Sequence, residues 1–364
     1  MAHRATTSRR PPDTAIAAMR VLVTGGTGFV GAHTAAALAR AGHDLRLLVR
    51  DPSKAARVLA EHGIGACDVV RGDVTDAASV AAAVDGCDAV LHAAAVVSLD
   101  AHRGDEVYRS NLRGAENVFG ATRAYGVASL VHVSSAGALF TPGGAPIGPD
   151  SPLAAATSAY MRSKADVDRL ARQLVDDGQP VRISYPVGVV GPDDPGLSES
   201  NQMLKTMLRD FVPMTSSGVN LVDVRDLALV HVALVEGRVP PGRYVVGGTF
   251  LSWADLATLT EGITGRPARR VRIPGAVLRG AGRVFDVVKR FRDVDLPITR
   301  EAMIFATQWP GADGSVTLRA TGIADRPVAD AVADAARWMF ATGHLRAEHV
   351  GRLASGTDRD GEDR

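Results

Sequence analysis

The chain has 364 residues, 46% hydrophobic and 22% charged, the balance of an ordinary globular protein with enough apolar material for a sizeable core. A formal net charge of +1 provides no general field toward nucleic acid or an anionic membrane. Two cysteines, Cys67 and Cys87, are too few for a disulfide framework, and no apolar run reaches the roughly 18–20 residues that span a bilayer.

The opening segment, through Arg9-Arg10-Pro11-Pro12, is basic but lacks the apolar core of a signal peptide. Residues 1–18 are therefore expected to be a disordered extension, with Met19 as an alternative start and a cytoplasmic location by default. From residue 20 to about 135, short β-branched runs at 21–23, 45–49, 69–70, 89–91 and 130–133 alternate with Ala-rich stretches. Helices are expected at 32–41, 53–61, 76–84 and 106–124. Nearly continuous apolar strands between helices predict an α/β fold, a Rossmann-type doubly wound parallel sheet with ligands at the C-terminal strand ends. Residues 141–152 form a breaker-rich loop, followed by a helix at 158–177, a strand at 180–184 and a loop at 191–197. Later helices are expected at 198–210, 225–236, 253–264 and 328–342. The expected division is a nucleotide-binding domain over 19–190, then a smaller, mostly helical substrate lobe over 191–348 with chain returns to the sheet. A disordered tail is expected over 349–364.

Gly25, Gly28 and Gly31 form a G-x-x-G-x-x-G series between the first strand and the first helix. In that context a glycine turn reads as a dinucleotide site, because the pyrophosphate can approach the backbone and meet the N–H groups of the helix N-terminus. Thr27, Phe29 and Val30 complete the expected cradle. An acidic residue at the end of the second strand would favour NAD by bonding the ribose 2′-hydroxyl. Arg50 stands there instead, with Lys54 nearby, and two cations suit a 2′-phosphate. NADP(H) is thus preferred over NAD(H), although Arg50 and Asp51 also read as a solvated corner with Asp51 or Ser53 capping the next helix. Asp73, beside Val74, is placed to meet the adenine amino group, and Asp76 reads as a helix N-cap. Ala93, Ala94 and Ala95 would leave room for the ribose and nicotinamide.

Tyr160 and Lys164 are spaced i, i+4, on one face of a predicted helix. A tyrosine titrating near 10 is a poor acid–base at neutral pH, so an adjacent ammonium is a physical requirement if it is to move protons. Ser134 and Ser135 end the fifth strand and should point into the same crevice.

Together with Tyr185-Pro186-Val187-Gly188-Val189-Val190-Gly191-Pro192 and Leu221-Val222-Asp223-Val224-Arg225-Asp226, these features resemble the extended short-chain dehydrogenase/reductase family, also called the NAD-dependent epimerase/dehydratase family. The resemblance implies that Tyr160 is the general acid–base, while Lys164 bonds the nicotinamide ribose and lowers the tyrosine's pKa. It implies that Ser135 holds the substrate oxygen, that Ser134 is structural, and that Asn111 maintains the site from the long helix. Pro186 and Val189 would lie near the nicotinamide, and Asp223 and Asp226 would fix the lobe to the sheet.

Val49-Arg50-Asp51-Pro52 and Ser134-Ser135-Ala136-Gly137 resemble the dihydroflavonol-4-reductase branch, to which the 3β-hydroxysteroid dehydrogenases are related. The stretch Gly137-Ala138-Leu139-Phe140-Thr141 lacks the Tyr-Gly pair usual in nucleotide-sugar epimerases. The leading expectation is reversible ketone–alcohol chemistry on a mid-sized, largely apolar small molecule. A nucleotide-sugar epimerase or dehydratase that retains its cofactor and a non-catalytic NADP(H) sensor are the alternatives. Residues 266–292, rich in Arg between apolar residues, read first as an amphipathic helical segment of the lobe and second as a membrane-surface contact. The helices at 106–124 and 158–177 resemble those that pair in family homodimers. His33, His92 and His132 lack metal-ligand spacing and read as packing or surface residues, so no metal site is expected.

Overall fold

The structure is a computed structural model that describes residues 16–65, 67–96, 104–155, 159–288 and 299–356. The expected N-terminal extension lies outside these residues except for its last three.

Strands and helices alternate through the first half: β1 (Arg20–Thr24), α1 (Phe29–Arg40), β2 (Asp44–Val49), α2 (Pro52–Glu61), β3 (Asp68–Arg71), α3 (Ala77–Val84), β4 (Ala89–His92), α4 (Gly104–Ala124), β5 (Ser129–Val133), α5 (Ala159–Asp176) and β6 (Val181–Pro186). The second half is less regular, with β7 (Gly188–Val190), α6 (Glu199–Arg209), β8 (Val212–Met214), β9 (Gly218–Asp223), α7 (Val224–Val235), β10 (Gly242–Val246) and β11 (Thr249–Ser252). It ends with α8 (Trp253–Thr264), β12 (Arg270–Arg272), α9 (Gly275–Val288), α10 (Arg300–Gln308), α11 (Ser315–Thr321), α12 (Val328–Ala341) and α13 (Ala347–Val350).

Seven strands form one sheet in the order β10-β6-β5-β4-β1-β2-β3, with every ladder parallel. The order reverses between β1 and β4, which opens a crevice at their C-terminal ends. Pleating sends Val21 and Val23 to the face covered by α1 and α7, and Leu22 to the face covered by α3, α4 and α5. Because both faces are covered, the strands are apolar throughout rather than alternating. Helix α7 is buried almost all round, and its His231 ring bridges Ser184 Oγ (2.9 Å) and Thr34 Oγ1 (3.0 Å), tying α7 to β6 and α1.

A third apolar cluster joins α6, α8 and α12 through Leu204, Leu256, Val332 and Met339. The lobe is not purely helical: β11-β9-β7 and β12-β8 form two small sheets. Strand β10, absent from the expected runs, returns to the main sheet beside β6. The expected tail from 349 is corrected in part. Helix α13 and a 3-10 turn over Gly351–Gly356 pack back onto the lobe, burying Val350 and Leu353, while Arg352 Nε donates to Ile263 O at 2.9 Å. Two apolar side chains at i, i+3 are enough to dock this short segment despite its polar composition. Residues 357–364 lie outside the described residues. No helix among the described residues is long and apolar enough to cross a membrane.

Candidate active site

The glycine turn is built by close backbone approach. Gly25 adopts φ +76, and a Cβ there would stand 2.6 Å from Ala94 N. A Cβ on Gly31 would meet Gly25 O at 2.1 Å, so only glycine lets α1 start this close to the turn. Gly28 N donates back to Gly25 O at 3.0 Å and is itself the N-cap of α1. No side chain caps that helix and no acidic residue occupies its first turn. Its N-terminal N–H groups and positive dipole end therefore face the crevice without a protein anion, which fits a pyrophosphate. Phe29 is buried beneath this turn, and Thr27 and Val30 flank it.

Around this cradle, Asp51 spends its carboxylate on capping α2, accepting from Ser53 N (2.9 Å) and Lys54 N (3.1 Å). Arg50 and Lys54 are exposed beside it. Asp73 accepts from Thr75 N and Oγ1 through one oxygen (2.8 and 2.9 Å), which shapes the turn after β3. Val74 is held from α4: Asn117 Nδ2 donates to its carbonyl at 2.9 Å, and Gly114 leaves room for its side chain. Ala93 and Ala94 line the end of β4, where Thr24 accepts from Ala93 N at 3.1 Å and from Ala94 N at 3.4 Å, and Ala95 is exposed. Pro186 and Val189 lie on consecutive strands at the other flank, β6 and β7.

Lys164 lies in the second turn of α5, half-buried, and desolvation lowers its pKa to about 8. Tyr160 precedes it by one helical turn; its side chain lies outside the described residues. Ser135 closes the end of β5 half-buried, its Oγ accepting from Gly137 N at 3.1 Å. Asn111 is occupied structurally. Its Oδ1 accepts from Val96 N (2.7 Å), and its Nδ2 donates to Val96 O (3.0 Å) and Ser163 Oγ (3.2 Å), pinning the chain after β4 to the residue before Lys164.

Phe305, Trp309, Asn220 and Glu199 lie around this site and were not among the expected residues. Phe305 and Trp309, from α10 and just beyond it, pack with Phe140, the ring centroids 4.3 to 5.7 Å apart. Phe305 and the Met161 side chain close on Gly137, where a Cβ would sit 3.3 Å from Ser135 Oγ and 3.5 Å from Phe305 Cζ. Trp309 Nε1 is fixed by Asn220 Oδ1 at 2.9 Å. Glu199, at the start of α6, raises the Lys164 pKa and has its own pushed up by burial. His92 and His132, paired across β4 and β5, stack with centroids 5.6 Å apart near Lys164. Asp223 and Asp226 hold Arg225 and Arg326, with Arg225 Nη2 reaching Asp223 at 2.6 Å and Asp334 at 2.7 Å, so β9 and α7 are tied to α12. Among the described residues, no three His, Cys, Asp or Glu side chains converge as a metal site.

A parallel sheet with a glycine cradle at its switch point is the arrangement of dinucleotide-binding proteins of the Rossmann class. The sequence model of the NAD dependent epimerase/dehydratase family matches residues 21–247, and the chain belongs to that family. It is similar to a putative dihydroflavonol 4-reductase of Synechocystis, 28% identical over 338 residues, covering 90% of this chain and 96% of the relative. It is also similar to sterol demethylase protein B of Methylococcus capsulatus, 29% identical over 339 residues, covering 90% and 100%. Among solved structures, gox2253 superposes with a TM-score of 0.74 at 25% identity, covering 90% of this chain and 99% of that one. A UDP-glucose-4-epimerase from Stenotrophomonas maltophila shares the fold with a TM-score of 0.70 at 23% identity, covering 90% and 99%.

Proposed function

We propose that the protein is an NADP(H)-dependent oxidoreductase that interconverts a ketone and a secondary alcohol on a mid-sized, largely apolar substrate. The observation that carries this reading is Phe305, stacked on Phe140 and Trp309, closing on Gly137 beside Ser135. Stacked rings offer a flat, apolar surface to a ring system and no donor to a diphosphate. Glu199, whose carboxylate acts on Lys164, adds negative charge to that side of the crevice and disfavours an anionic nucleotide sugar. The relatives named a dihydroflavonol 4-reductase and a sterol demethylase component support a substrate of this class.

The cofactor would be held by Gly25, Thr27, Gly28, Phe29, Val30 and Gly31 at its pyrophosphate, and by Asp73, Val74 and Ala93 to Ala95 along its adenosine and ribose. When bound, it donates or accepts the hydride at the substrate carbon. Ser135 Oγ bonds the substrate oxygen and fixes it beside α5. Tyr160 delivers its proton to that oxygen during reduction and takes it back during oxidation. The Lys164 ammonium stabilises the tyrosinate that remains and would also bond the ribose of a bound nicotinamide cofactor. Asn111 acts through position alone, holding the β4 end and α5 in register. Arg50 and Lys54 select the 2′-phosphate, since Asp51 is engaged in capping α2.

The test is a panel of aromatic ketones, steroid ketones and dihydroflavonols assayed with NADPH and with NADH, alongside UDP- and dTDP-sugars followed by product analysis. Ketone-dependent oxidation of NADPH, with the preference over NADH reduced about tenfold or more in Arg50→Ala, is expected. Sugar conversion without net cofactor consumption would move the protein to epimerase chemistry.

A further inference from the structure

The face of α5 that carries Tyr160 and Lys164 continues one turn further to Asp168, a carboxylate with no exposed surface. A buried carboxylate is costly unless it is paired and bonded. Asp168 Oδ2 accepts from Arg172 Nε at 2.8 Å and from the wholly buried Tyr185 hydroxyl at 3.0 Å. Arg172 in turn donates to Tyr185 Oη at 3.3 Å and, through both terminal nitrogens, to Ser151 O at 3.3 Å. The second oxygen, Asp168 Oδ1, is buried without a hydrogen-bond partner, as is Ser134 Oγ, the neighbour of Ser135. Burial raises the Asp168 pKa, while Arg172, the nearby Ser134 hydroxyl and Tyr185 act to lower it. One side of the carboxylate is thus anchored to β6 and the breaker-rich loop, and the other is left toward β5.

We propose that Asp168 is a positioning residue for Lys164, a buried anion one helical turn away that holds the ammonium charged and in place beneath the crevice. The proposal rests on the reading that Lys164 meets the cofactor ribose and assists Tyr160. The other groups facing Lys164 are Glu199 from α6, which also favours its charge, and the His92 and His132 rings from β4 and β5. Desolvation keeps both histidines neutral at working pH, so they neither oppose nor replace the carboxylate. Of the two anions, Asp168 acts more strongly on Lys164, and it is the one fixed from two sides. An ion pair with Arg172 alone would be a structural brace; what distinguishes the proposal is an effect on the lysine.

Two readouts separate the possibilities. The first is the pH dependence of NADPH binding in a Tyr160→Phe background, which follows Lys164 without any turnover. The second is the pH dependence of kcat/KM for ketone reduction. In Asp168→Asn the alkaline loss of binding and of activity should both begin about one pH unit lower than in the parent. Asp168→Glu should restore most of the shift. Tyr185→Phe removes one donor but keeps the Arg172 pair, so it should move both limbs by a smaller amount, and it keeps the test readable if Asp168→Asn folds poorly. Lowered thermal stability with both alkaline limbs unmoved in Tyr185→Phe and Asp168→Asn would overturn the proposal. If no ketone is turned over at all, the binding arm still decides the role of Asp168, while the functional reading fails separately.

Discussion

Single atoms decide much of the cofactor cradle. A methyl group at residue 31 would sit 2.1 Å from Gly25 O, against backbone that has no rotamer to yield. Gly31→Ala should therefore cost on the order of 1–3 kcal/mol of stability by overpacking. It should also weaken NADPH binding at least tenfold, because the turn must open to admit it. Urea unfolding and cofactor fluorescence titration check the two effects, and an unchanged dissociation constant would show that the turn is looser than its geometry indicates. Lys164 is the other atom-scale lever. Its desolvation lowers the pKa to about 8, so the ammonium is available at neutral pH and lost just above it.

Among the elements, α10 supplies Phe305 to the aromatic surface proposed to face the substrate, and it does so from a distant part of the chain. Phe305→Ala should raise KM for an apolar ketone about tenfold or more while leaving NADPH affinity within twofold, since the ring stacks on Phe140 and not on the cradle. Equal losses in both would place α10 in global stability instead. The contrast explains what was legible beforehand. The β1–α1 turn, the strand runs and the pair at 160 and 164 are local patterns, in which spacing alone determines which groups share a face. Phe305, Trp309, Asn220 and Glu199 converge only through tertiary return. Their positions in sequence carry no periodic mark of a site: Phe305 reads as one apolar residue in a short helix, and Glu199 as one charge in the first turn of another. The short strands β7 to β9, β11 and β12 were illegible for a related reason, being mostly three or four residues long and stabilised by ladders across the chain. Docking of α13 and the turn after it rests on Val350 and Leu353, two apolar residues that leave no periodic signal in a polar stretch.

Across the whole molecule, the notable feature is how many histidines are buried neutral. Desolvation leads in lowering His33 to about 4, His92 to about 3 and His231 to about 3. Each folded value lies below the unfolded value near 6.5, so the unfolded chain binds more protons wherever pH drops under 6.5. The stability contribution is complete above that pH and is lost as pH falls toward the folded values. At pH 5 the penalty is about 2 kcal/mol per site, or about 6 kcal/mol for the three. The urea midpoint should thus fall steeply between pH 7.5 and pH 5, before most carboxylates titrate. A flat midpoint over that range would mean that these rings reach water or gain partners on protonation.

One face of α5 is proposed to move the proton in a ketone–alcohol reaction, across the crevice from the glycine cradle that would hold the cofactor. The most direct measurement compares the wild type with Tyr160→Phe under saturating NADPH and a ketone substrate, with cofactor affinity determined in parallel. The expected result is a fall in kcat of at least a hundredfold with the NADPH dissociation constant within threefold of wild type. Retention of most of the turnover in Tyr160→Phe would contradict it and leave the family fold without the chemistry assigned to it here.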